Sequence, residues 1–113
     1  MSAPIQAGES WWSAEEAQRA IAARAQTLTM PDVARIGGVT GFLRAARHAH
    51  DAGLTVSSHM YPEVSAHLLA AIPNAHLLEH LDKTGALLAT PLRPRDGHVT
   101  VPDAPGIGVE FAR

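Results

Sequence analysis

Polar and apolar positions along the chain repeat as a unit: a short apolar run, one acidic or basic residue at its end, a turn, then a longer stretch with helical spacing. The first run, "PIQAG", reads as a short strand with Glu9 at its end. Ser13 with Glu16 three residues on forms a capping box, and "AEEAQRAIAARA" reads as a helix with Ile21 and its alanines inward. In the second unit "TLTM" is a β-type run followed by Pro31 and Asp32. Gly37, Gly38 and Gly41 punctuate a loop before the helix "GFLRAARHAHDA", whose Phe42, Leu43 and Ala46 form the inward stripe and which Gly53 stops. The third unit is "LTVSS" with His59 at its end, then a helix opened by Pro62 and ended by Pro73 and Asn74. The fourth is "AHLL" with Glu79 at its end. After it the pattern changes: "LLATPLRPRDGHVTVPD" reads as two extended segments about a Pro/Asp/Gly turn, a hairpin, and "APGIGVEFAR" as loop and a short extended tail.

Alternating strands and helices with crossovers of this length require parallel strands, hence an α/β architecture. Four such units fit part of a barrel or an open sheet; a complete (β/α)8 barrel takes about 250 residues, and this chain has 113. A hydrophobic share of 46%, a charged share of 18% and a net charge of −2 suit one soluble globular domain, or a piece of one. With no basic stripe, neither nucleic acid nor an anionic membrane is an expected partner. The absence of cysteine excludes disulfides, thiolate catalysis and cysteine zinc sites. The first dozen residues lack the basic-then-apolar order of a signal peptide, and no apolar run approaches the roughly 18 residues that span a bilayer. The expected location is the cytoplasm.

Glu9, Asp32, His59 and Glu79 each follow an apolar run, at separations of 23, 27 and 20 residues, each close to one strand-plus-helix repeat. Residues at that phase of successive units converge on the face where α/β enzymes place their sites. Singly, any of them would serve as a helix cap or a solvated loop residue. Together, three carboxylates and an imidazole point to acid/base or metal chemistry. Other histidines read more plainly. His76 and His80 flank a strand, so their i, i+4 spacing does not make a helical zinc pair. His48 and His50 lie beside Arg47 and Asp51 on a solvated face, and His67, in an apolar stripe, reads as a hydrogen-bonded structural residue. Trp11 and Trp12 read as packing of the strand-to-helix loop, and Gly37-Gly38 as a tight turn.

The stretches "PIQAGESWW", "MPDVARIGGVTGFLRAARHA", "VSSHMYPEVSAHLLAAIPNAHLLEHLD" and "VPDAPGIGVEF" resemble the C-terminal part of mandelate racemase and its relatives in the enolase superfamily, from about residue 4 to 111. The resemblance implies the last four strands of a (β/α)7β TIM-type barrel over residues 1–90. It implies a hairpin and tail over residues 91–113 that pack back toward a capping domain. It further implies that Glu9 is one of three carboxylate ligands of Mg²⁺. Asp32 and His59 would be the dyad that moves a proton on or off the carbon next to the substrate carboxylate. Glu79 would be the acid that hydrogen-bonds that carboxylate, and Met60 and Leu81 would be apolar positions lining the pocket. Relatives that lactonise muconate or epimerise dipeptides carry lysine where this chain has Asp32, so the resemblance is to the mandelate racemase subgroup, which also holds sugar-acid dehydratases. Removing such a proton creates a dianionic enediolate, which a hard cation and a carboxylic acid can stabilise from two sides.

In that family the unit holding Glu9 is the fifth strand. The capping domain, the first four strands, a Lys-x-Lys motif with the opposing base and two metal ligands are not among these residues. Two expectations follow: that another segment or chain completes the enzyme, which would then be a homo-oligomer acting on a small carboxylate, or that the chain is an inactive half-barrel remnant. A half-barrel leaves sheet edges exposed and is not expected to be a stable lone monomer. Racemisation of a 2-hydroxy acid is the first expectation for the reaction and acid-sugar dehydration the second. Apolar residues at positions 60 and 81 lean toward a substrate with an apolar group.

Overall fold

The computed structural model describes residues 3–113. Three two-residue strands, β1 (Gln6–Ala7), β2 (Leu28–Thr29) and β3 (Thr55–Val56), pair in parallel in the order β1-β2-β3. Three helices alternate with them: α1 (Ala14–Ala22), α2 (Gly38–Asp51) and α3 (Pro62–Ala70). Gln6, Leu28 and Thr55 stand level on one face, and Ala7, Thr29 and Val56 on the other. Thr29 and Val56 are fully buried, under a core in which Ala14 and Ala17 of α1, Phe42, Ala45, Ala46 and Ala49 of α2, and Leu68 and Leu69 of α3 pack together. The alanines let α1 and α2 lie close to the strands, and Phe42 fills the space between them.

The predicted fourth strand, "AHLL", is reduced to a single parallel bridge, Val56 with Ala75. Its ladder begins regularly, the Val56 N–H donating to the Asn74 carbonyl (2.8 Å) and the His76 N–H to the Val56 carbonyl (2.7 Å). The next bond breaks step: the Ser58 N–H donates to the carbonyl of Leu77 (2.9 Å), one residue beyond the one a regular parallel ladder would use. An extra residue is thus accommodated on the outer strand, a bulge. Among the described residues no α-helix follows this unit, only the 3₁₀ turn Gly85–Leu87.

Helix α1 starts as the capping box predicts: Ser13 Oγ accepts from the Glu16 N–H at 3.3 Å. The Glu16 carboxylate reaches one residue further back than the usual box and accepts from the Trp12 N–H at 2.7 Å. Serine-to-alanine at such a cap costs about 1 kcal/mol, so Ser13→Ala is expected to lower unfolding stability by that amount in denaturant titration; a change below a few tenths would contradict the cap. Glu15, in the same first turn, is held below the usual carboxylate range by backbone hydrogen bonding and by Arg44 of α2, its ion-pair partner.

Helix α2 departs from the sequence reading in two ways. It begins at Gly38, not at Gly41, so Gly41 lies inside its first turns. A Cβ at Gly41 would come within 1.9 Å of the Ile36 carbonyl oxygen, and the missing side chain lets the helix start pass over that backbone. Leu43, expected inward, is exposed; Ala45 and Ala49 complete the buried stripe instead. The helix ends as predicted. Gly53 (φ 72°) is left-handed, its N–H bonds the His50 carbonyl (2.9 Å), and the Leu54 N–H bonds the Ala49 carbonyl (2.8 Å), the two bonds of a Schellman stop.

The hairpin survives as one antiparallel bridge, Arg95 with His98, around Asp96 and Gly97, both at positive φ (50° and 77°) as a type I′ turn requires. Prolines at 91 and 94 restrict further pairing on one side. The tail returns to pair Phe111 with Leu88. His67 and His80 tie this region down through their Nε2 atoms, to the carbonyls of Ile107 (3.1 Å) and Leu92 (2.8 Å). His80, which flanks the fourth apolar run, is therefore half-buried and structural. No helix among the described residues is long and apolar enough to cross a membrane.

Candidate active site

Beyond Thr29 and Val56 the β2–β3 register continues without a slip, so Asp32 stands level with His59 as a further parallel bridge. Both side chains then meet. Asp32 Oδ2 accepts from His59 Nδ1 at 2.8 Å, with the Asp32 side chain only 4% exposed and that of His59 18%. The other oxygen, Oδ1, accepts from the N–H groups of Ala34 (2.8 Å) and Arg35 (3.3 Å) in the turn that follows β2. Aspartate folds that turn onto itself, so its carboxylate plane is fixed before it meets the imidazole. The hydrogen bond at Nδ1 selects one tautomer and leaves Nε2 toward the open mouth of the sheet.

Glu9, at the end of β1, reaches the same place: its Oε2 lies 3.3 Å from His59 Nε2, with its side chain 57% exposed. Glu79 arrives from the fourth unit. The bulge at His76–Leu77 advances that segment by one residue, which brings Glu79 level with His59. Its N–H, which would bond the Ser58 carbonyl in a continued ladder, donates to Ser58 Oγ instead (3.1 Å). Its carboxylate Oε2 accepts the Met60 N–H at 2.8 Å.

The link between His59 and α3 is unusual. Met60 (φ 56°) and Tyr61 (φ 45°) are consecutive non-glycine residues in the left-handed region, each costing on the order of 1 kcal/mol or more. The surroundings offset this. The Met60 N–H goes to Glu79, the Met60 carbonyl accepts from Ser65 Oγ at 2.9 Å, and the Tyr61 carbonyl accepts the N–H groups of Val64 (3.1 Å) and Ser65 (2.9 Å). Ser58 and Ser65 are fully buried.

Four of the six residues singled out in the sequence are thereby gathered at one end of the sheet. Glu9 and Asp32 touch the imidazole, and Glu79 is joined to the residue after it. Met60 enters through its backbone N–H. Leu81 lies on the coil beyond Glu79, 44% exposed. The sequence reading missed Ser58 and Ser65; the pair of serines before His59 is a visible signal, while Ser65 has none that separates it from any small helix residue. Trp11 packs against the core, as expected for the loop, and Trp12 is exposed. A separate cleft of about 290 Å³ between the hairpin, the tail and Glu63 shares none of these residues.

A magnesium ion takes six oxygen ligands in near-octahedral order. Among the described residues no three histidine, aspartate or glutamate side chains are grouped so as to hold a metal. The residues present do not make up a complete magnesium site.

Parallel strands, crossover helices and a His–Asp pair at the strands' C-terminal mouth have the arrangement of part of a TIM-type barrel. The chain belongs to the Enolase C-terminal domain-like family, whose pattern matches residues 1–113. It is similar to a Bradyrhizobium enolase crystallised with magnesium and mandelic acid, at 49% identity and a TM-score of 0.90 over 96% of this chain and 30% of that one. An L-talarate dehydratase from Polaromonas with bound Mg and L-glucarate is 38% identical, at a TM-score of 0.92 over 99% of this chain and 30% of that one. The 3,6-anhydro-alpha-L-galactonate cycloisomerase of Streptomyces coelicolor is 35% identical over 106 residues, 93% of this chain and 29% of its own length. The chain thus spans about 30% of the length of these relatives, and it corresponds to the C-terminal half of their barrel.

Proposed function

We propose that these residues form the proton-transferring part of an enolase-superfamily enzyme acting on a 2-hydroxy acid. His59 Nε2 takes or returns the proton on the carbon next to the substrate carboxylate, Asp32 holds the imidazole in the required tautomer, and Glu79 hydrogen-bonds the carboxylate as charge builds on it. The observation that carries this reading is the 2.8 Å bond from a half-buried imidazole to a buried, doubly anchored aspartate, beside a glutamate whose carboxylate accepts the N–H of the next residue, Met60. Racemisation is the first reading, supported by the mandelic acid named for the 49%-identical neighbour. Acid-sugar dehydration is the second, supported by the dehydratases among the relatives; both begin with the same proton abstraction. In either case Glu9 would supply one ligand to Mg²⁺ and the remaining ligands would come from outside these residues. Met60 and Leu81 would border the substrate, a small carboxylate.

Two experiments test the reading. In D₂O, the polypeptide joined to the half that completes its barrel should wash deuterium into the α position of mandelate or galactarate, detectable by NMR; no exchange with either acid would count against it. The 113-residue chain by itself, given Mg²⁺ and mandelate, is expected to show no racemisation by polarimetry. Robust turnover by that chain would show that the opposing base and the metal ligands lie within it.

A further inference from the structure

The geometry points to Ser65 as a positioning residue that sets the Glu79 carboxylate relative to His59 through the Met60 peptide. This rests on the reading of His59 and Glu79 as the reacting side chains and goes beyond it, since Ser65 itself reaches neither.

The chain of contacts is short and buried. Ser65 sits in the first turns of α3, fully buried, and its hydroxyl donates to the Met60 carbonyl at 2.9 Å. The opposite side of the same residue, the Met60 N–H, donates to Glu79 Oε2 at 2.8 Å. Met60 and the next residue are both left-handed, a conformation that persists only when its neighbours over-determine it. Glu79 and Ser65 are the two side chains that do so, one on each polar group of Met60. Removing the Ser65 hydroxyl leaves the Met60 carbonyl without a partner in a buried setting, and the peptide is then free to rotate toward the ordinary right-handed region. That rotation turns the N–H away from Glu79. It also displaces the backbone of His59, whose own N–H bonds the Pro31 carbonyl at only 3.3 Å. A serine with packing as its sole role would have no reason to aim its oxygen at the left-handed residue that joins His59 to Glu79.

Selective ¹⁵N labelling of methionine isolates the effect, because Met30 and Met60 are the internal methionines. The experiment is run on the encoded polypeptide in the assembly in which it purifies. Ser65→Ala is expected to move the Met60 amide resonance and speed its hydrogen exchange at least tenfold, with Met30 unmoved. Glu79→Gln should move the same resonance, and the double variant should exchange no faster than the faster single one. Ser65→Cys, close in volume and still a weak donor, should restore part of the protection. If Ser65→Ala lowers the unfolding temperature while the Met60 amide keeps its position and exchange rate, Ser65 is a packing residue and the inference is overturned; should Ser65→Ala not fold, Ser65→Cys and Glu79→Gln carry the same comparison, and an unmoved Met60 amide in both overturns it too. Amide exchange reads positioning whether or not a substrate is turned over. Loss of the coupling with deuterium wash-in intact would sink this inference alone, and intact coupling without wash-in would sink the proposed function alone.

Discussion

His59→Asn in the barrel-completed enzyme is expected to lower the rate of α-proton exchange by on the order of 10²–10⁴-fold, the usual contribution of a positioned acid/base group. Asparagine keeps a polar group able to bond Asp32 but cannot carry the proton. KM should change little, because the proposed role sets the imidazole against the α carbon and not against the carboxylate that binds. Asp32→Asn should also slow exchange, by less: an amide can accept from Nδ1–H only if its own NH₂ is turned away, and the two turn N–H groups that now hold Oδ1 compete for the same carbonyl oxygen. Exchange in D₂O, followed by loss of the α-proton signal, measures both. Rates within a few-fold of the parent for His59→Asn would remove His59 from the chemistry.

The second large effect is on folding. Gly41→Ala should destabilise by at least the upper end of the roughly 1–3 kcal/mol typical of overpacking, because the added Cβ would meet the Ile36 carbonyl oxygen at 1.9 Å and its carbon at 2.7 Å. Neither atom belongs to a flexible side chain. Ile36 is itself buried, and its N–H bonds the Asp32 carbonyl at 2.9 Å, so the strain would be passed into the turn that holds the dyad aspartate. Denaturant unfolding of Gly41→Ala beside Gly38→Ala separates packing from backbone freedom. A Cβ at Gly38 would meet nothing within 4 Å, although the residue sits at φ 73°, and its substitution should cost less. Equal stability of Gly41→Ala and the parent would show that the helix start can move.

Much of this is legible in the chain because strand ends advertise themselves. An apolar run that stops at a charged residue, followed by a capping serine or a first-turn proline, fixes where a strand yields to a helix; Glu9 and His59 stand out that way, Asp32 by the apolar run before it alone, and their convergence follows from parallel pairing. The family motif then gives Glu79 its role as an expectation. What the pattern hides is set by tertiary contact. Glycines at 38 and 41 look like loop residues, and only the passage of α2 over Ile36 explains why one must lie within a helix. Leu43 has the right phase to be buried but lies 38% exposed at the rim of a cleft with Ile72 and Pro73, while Ala45 and Ala49 are the residues turned inward. "AHLL" has the composition of a strand, yet its ladder breaks after one bridge. Ser65 stays hidden because a hydrogen bond to a carbonyl five residues earlier leaves no trace in hydrophobic periodicity.

That broken ladder matters to anyone who would transplant the site. A grafting scheme that copies Asp32, His59 and Glu79 onto a regular parallel sheet, counting residues along ideal strands, would place the first two correctly. The third would be out of phase, because alternate residues of a strand face opposite ways and the surplus residue at His76–Leu77 reverses that count before Glu79 is reached. A single deletion anywhere in 76–78 would do the same damage from within: the segment would lose little length, and the carboxylate would turn its back on the imidazole.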